Sequence, residues 1–171
     1  MRSAAGTSRK GHRRVAFIVP NIGAAGDLAS EEGFLEAVVS RRNSYDVHAK
    51  AVRFEGSATN LNFRLDDLFD GPFPPTALLV AKPRDVVVIL IHLQKRGLTV
   101  PHAISLIARD HDGIFESSIS HYAFSAESYA QRLSRLMLQI GRQGYLAPKR
   151  HLIFPSYVDA GTVVQAPPDP S

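Results

Sequence analysis

Side chains able to do chemistry gather at few places in this sequence, and the densest cluster is Asp110-His111-Asp112. A carboxylate beside an imidazole can act as an acid–base pair or contribute ligands to a metal ion. Three adjacent loop residues rarely converge on one ion, and nothing in the sequence brings His48 or His121 near them. A loop-structuring carboxylate, or a polar ligand contact by Asp110, is the simpler reading; an acid–base enzyme built on Asp110 and His111 is the alternative. Lys82 could reach an anion, or could be a solvated lysine beside a helix start. Ser117–Tyr122 mixes hydroxyls with His121, but residues this close in an extended segment alternate between faces, so it reads as a polar connector. Gly23-x-x-Gly26 lacks the first spacing of G-x-G-x-x-G, and no phosphate loop is present, so no cofactor is expected. No G-x-S-x-G elbow occurs. The absence of cysteine removes disulfides, thiolate metal sites and a cysteine nucleophile.

The elements that must position these residues start from a chain of 171 residues, 44% hydrophobic and 21% charged, long enough for one domain with a core. Much of the +4 net charge lies in Arg2, Arg9, Lys10, Arg13 and Arg14. A basic arm can graze phosphates, but residues 1–12 read as a solvated arm. The apolar run Val15–Val19 is shorter than the roughly 7–15 residues of a signal-peptide core, and no stretch approaches the roughly 20 of a membrane span. No membrane association is expected, and lack of cysteine fits a cytoplasmic setting.

Short apolar runs alternate with amphipathic ones. Val15–Val19, Val47–Phe54, Thr76–Ala81 and Ile104–Ile107 read as strands. Ser30–Arg42, capped by Ser30, a segment from Thr59 through Leu68, and one starting at Pro83 read as helices. The Val86–Leu93 stretch would suit a strand on propensity, but its length, Pro83 and Gly97 favour helix. Further on, Ile119–Phe124 and Leu152–Val158 read as short strands, Ala126–Ile140 as an amphipathic helix, and residues 164–171 as a disordered tail. The order β-α-β-α-β-α-β predicts an α/β fold, a Rossmann-like parallel sheet with flanking helices. Ligands of such sheets sit at the C-terminal strand ends, here Pro20–Asp27, Phe54–Ser57, Ala81–Arg84 and Ala108–Asp112.

Several segments resemble the effector domain of the lactose/galactose-repressor family of transcription regulators. Gly11–Ile18 resembles its "G-x-R-x-I-A-x-I" entry, Glu32–Ala37 its "G-F-x-x-A" helix, and Pro75–Ala81 its "P-T-A-I" strand. Leu93–Ile107 resembles "L-x-x-x-G-x-x-V-P-x-D-V-S-V-V" and keeps Gly97, Val100, Pro101 and Ser105. The resemblance implies a periplasmic-binding-protein-like fold across 13–163: a C-terminal subdomain over 13–116 and part of an N-terminal subdomain over 117–163. It implies a small-molecule effector in an inter-subdomain cleft, a homodimer, and DNA contacted only through a helix-turn-helix domain that this chain lacks. It implies no catalysis and no metal. Ser30 stands where the family often has a ligand-gripping arginine, Lys82 replaces the asparagine of "A-N-D", and Ala108-Arg109-Asp110-His111 replaces "G-F/Y-D-D". Asp110 is the carried-over ligand contact. A sugar-like effector is the family's pattern; Arg109, Lys82 and Arg84 would suit an anionic one. The same fold also serves exported solute-binding proteins, a further alternative.

Overall fold

The computed structural model describes residues 10–42, 47–110, 112–115, 117–145 and 153–167. Six strands form one sheet in the order β2-β1-β3-β4-β5-β6. The first four are β1 (Arg14–Pro20), β2 (His48–Phe54), β3 (Ala77–Val80) and β4 (Ser105–Ala108), all parallel to their neighbours. They are the four predicted strands, shifted by a residue or two.

Parallel strands are covered on both faces and therefore read as unbroken apolar runs. Alternate side chains separate into two cores. Ala16, Ile18, Leu78, Val80 and Leu106 face one side, packed with residues of α2 (Ala58–Phe69) and α3 (Pro83–Lys95). Val15, Phe17, Val19, Leu79 and Ile107 face the other, with Phe34 of α1 (Ala25–Arg42). Beyond a 3-10 turn at Gly113–Phe115, β5 (His121–Ala123) joins β4 in parallel, and β6 (Ser156–Val158) pairs antiparallel with β5. Segments 13–116 and 117–163 thus share this sheet. Leu152 and residues 168–171 lie outside the described residues. The described start of the expected tail is held in the fold: the Val164 amide donates to Ser105 Oγ at 3.1 Å and the Ala166 amide to the Lys10 carbonyl at 2.8 Å. His12, placed by sequence in a solvated arm, is buried against Val164.

The helix ends correct two expectations. Ser30 does not cap α1; the helix begins at Ala25, and the Ser30 hydroxyl donates to the Gly26 carbonyl at 2.7 Å, one turn back. Gly23, at φ 68°, supplies the left-handed turn that lets the helix start early. The second helix, expected from Thr59, begins at Ala58 as α2 and is capped by Ser57, its Oγ accepting from the Asn60 amide at 3.1 Å while Asn60 Oδ1 accepts from the Glu55 amide at 2.9 Å. In α3 Val86, Ile89 and Leu93 are buried while Val87 and Ile91 are exposed, a helical period. The last helix, α4 (Ala126–Gln143), is capped by Ser125 and ended by Gly144 at φ 74°, and none of its residues is buried.

Candidate functional site

Parallel β1, β3 and β4 all end on one edge of the sheet, and there the chain concentrates charge. Arg109 follows β4 directly. Its Nε and Nη2 donate to both carboxylate oxygens of Asp110 at 2.8 and 2.7 Å. Its Nη1 donates to Asp27 Oδ1 at 2.7 Å, across 82 residues of sequence. Lys82, in extended backbone at the N-cap of α3, sends Nζ to 3.0 Å from Asp27 Oδ1 and 4.0 Å from Asp110 Oδ2. Two carboxylates and two cations therefore form one network.

Asp27 sits in the first turn of α1 with a side chain only 4% exposed. Burial alone would raise its pKa, but the hydrogen bonds and charges of Arg109 and Lys82 outweigh burial and hold it below the usual carboxylate range. Burial would likewise lower the Arg109 pKa, yet Asp110 and Asp27 raise it above the normal guanidinium value. The ion pair is thus fully charged at neutral pH. Asp27 Oδ2 is buried and has no hydrogen-bond partner.

A cavity of about 420 Å³ opens beside this network, lined by Ser30, Arg109, Asp110, Phe34, Tyr122, Phe124 and Phe154 together with small residues of α1. Asp110, 37% exposed at its side chain, is its acceptor; Arg109 is its wall, with Asp27 and Lys82 behind. Aromatic surface and a carboxylate on one edge suit a ligand with an apolar face and hydroxyl or amide donors. A hollow of about 920 Å³ along the outer face of α1 is larger. It runs along α1 beside Arg53 of β2 and holds none of the residues predicted for the site, so the smaller cavity is the stronger candidate.

Of the residues expected from sequence, the fold brings Ser30, Lys82, Arg109 and Asp110 together. Arg84 does not join them: its side chain is 67% exposed and pairs with its neighbour Asp85, Nε to Oδ1 at 3.5 Å. His111 lies outside the described residues. His48 begins β2, at the opposite end of the sheet, and stacks on Phe73 at 4.4 Å. Among the described residues no group of three His, Asp or Glu is placed to hold a metal ion, and no helix is long and apolar enough to cross a membrane. Sequence reasoning missed Asp27, although it marked the Pro20–Asp27 strand end, and missed the aromatic wall.

Residues 7–163 match the family described as a periplasmic binding protein-like domain. No curated protein matches the chain by sequence. Solved structures with similar folds include a LacI family transcriptional regulator from Bifidobacterium animalis subsp. lactis, with TM-score 0.78, 12% identity, and coverage of 96% of this chain and 60% of that one. A LacI family regulator from Enterococcus faecium with bound ribose gives TM-score 0.73 and 14% identity, covering 95% and 60%. A dimeric Lac repressor lacking 11 C-terminal residues gives TM-score 0.72 and 18% identity, also covering 95% and 60%. The chain thus spans about 60% of the length of these structures, and identities this low speak to fold alone.

Proposed function

The chain belongs to the periplasmic binding protein-like domain family, and from that premise we propose that it is the effector-sensing part of a LacI-type transcription regulator. The effector is a small molecule bearing hydroxyl donors, held in the cavity beside Arg109 and Asp110. One observation carries this reading: Ser30, Lys82 and the adjacent pair Arg109–Asp110, from three separate stretches of the sequence, meet at the C-terminal end of the parallel strands, where ligands of such sheets sit. The ribose-bound Enterococcus structure supports a sugar-like effector. In this reading Asp110 accepts ligand hydroxyls through the lone pairs that Arg109 leaves open, while Phe124 and Phe154 cover the ligand's apolar face. The domain acts in the cytoplasm as a homodimer, which the dimeric Lac repressor supports. It has no catalytic role and couples ligand binding to DNA through an attached DNA-reading domain.

The test is a thermal-shift and calorimetric titration of the chain with a panel of neutral pentoses and hexoses. A true effector at a hundredfold excess over its Kd stabilises the fold by about 2.7 kcal/mol. Asp110→Ala is expected to weaken that ligand at least roughly tenfold, the loss of one charge-assisted hydrogen bond. A panel with no binder, or a binder indifferent to Asp110→Ala, would overturn the reading.

A further inference from the structure

We propose that Asp27 sets the charge selectivity of the cavity, committing a site that carries two cations to uncharged ligands. The inference rests on the cavity being the effector site, and it reverses what Lys82 and Arg109 imply when read from sequence alone. Two basic residues at strand ends would ordinarily attract an anion. Here each of the three guanidinium nitrogens of Arg109 already bonds a carboxylate, two to Asp110 and one to Asp27. The Lys82 ammonium is held by the same Asp27 oxygen at 3.0 Å.

The two carboxylates do not contribute equally. Asp110 is the sequence neighbour of Arg109 and is partly exposed, so an incoming anion could displace it into water at little cost. Asp27 cannot move that way: its side chain is 4% exposed and fixed in the first turn of α1. Displacing it would strand a buried, unpaired charge, the most costly outcome for such a network. An uncharged hydroxyl donor displaces neither carboxylate. Asp27 is therefore a specificity-determining residue acting from behind the wall, through Arg109 and Lys82, without lining the cavity.

The probe is inorganic phosphate, titrated into the full chain and followed by calorimetry and amide NMR shifts at Lys82 and Arg109. The unmodified chain is expected not to bind it at the cavity. Asp27→Asn keeps the shape, removes one charge and exposes Lys82, and is expected to bind phosphate at least roughly tenfold tighter. Asp27→Asn combined with Lys82→Gln restores neutrality and is expected to lose that response. If Asp27→Asn does not fold in plain buffer, phosphate must restore its fold at concentrations without effect on the double variant. Phosphate binding to the unmodified chain at this cavity, an Asp27→Asn variant no better than the unmodified chain, or a failed rescue would each overturn the proposal. Failure of the effector reading looks different: no uncharged ligand binds, while the phosphate response still follows residue 27.

Discussion

Replacing Arg109 would leave Asp27 and Asp110 facing each other with only Lys82 nearby. The Arg109 side chain is 16% exposed, and breaking a buried pair by removing one partner costs about 3–5 kcal/mol, because the uncompensated charge stays behind. Arg109→Gln is expected to lower unfolding free energy in urea by about that amount, and adding Asp27→Asn should recover a good part of it. A loss no larger than a surface substitution gives would mean the network is not buried. His12 makes a second residue-scale prediction. Its Nε2 donates to the Val164 carbonyl at 2.9 Å, leaving Nδ1 to accept from the Thr76 hydroxyl at 2.9 Å. Burial lowers its pKa, only partly opposed by the Val164 bond. The folded state therefore prefers neutral His12, which contributes stability in full above its unfolded value of 6.5 and loses it as pH falls below that value. Urea midpoints at about pH 8 and about pH 5.5 should differ less in His12→Gln than in the unmodified chain. His92, also lowered by burial, keeps a residual slope in both. The site's legibility follows the same physics. Motif spacing marks backbone positions at strand ends, which located Asp110 and Lys82. An ion pair spanning 82 residues leaves no local mark, so Asp27 was not read as the partner of Arg109.

Among the elements, α3 tested the sequence hardest, because Val86–Leu93 is apolar throughout and rich in β-branched residues. As a strand it would set Val87 and Ile89 on the same face. In the helix Ile89 is fully buried and Val87 is 46% exposed. Ile89→Ala is therefore expected to cost about 2–5 kcal/mol, and Val87→Ala about 0.5 kcal/mol or less; equal costs would argue for the strand geometry. Pro83 at the first position and Gly97 at φ 70° bound the helix where length and punctuation predicted. The strands β1 to β4 were legible for a similar reason, as apolar runs between turn residues. Ile119–Phe124 was only partly so: β5 keeps three residues and meets β4 at the single pair Ala108–His121. Three residues are too few for a period-two pattern to emerge. The early start of α1 was hidden because Ser30 is a good cap by type, whereas the turn that precedes Ala25 uses Gly23 at φ 68°, a backbone conformation that a lone glycine does not announce.

At the scale of the molecule, α4 and the cavity rim carry a run of exposed apolar side chains among the described residues. Tyr129, Leu133, Leu136 and Ile140 follow four-and-three spacing along α4, the seam of a helix meant to be covered. Yet Leu133 is 59% exposed and Met137 71%, with Phe124 and Phe154 also open nearby. Apolar patches of this kind on an isolated chain drive association. The 171-residue chain is therefore expected to scatter light in a concentration-dependent way, increasingly so with added sulfate, which strengthens apolar burial. Leu133→Gln with Met137→Gln should suppress that association. The same double variant should leave the urea midpoint nearly unchanged, because neither side chain contributes to either core. The two readouts separate the causes. A sharp fall in the midpoint would mean that α4 is packed within the monomer. Unchanged scattering would place the sticky surface elsewhere, with the apolar stripe of Leu28, Leu35 and Val39 on α1 as the next face to alter.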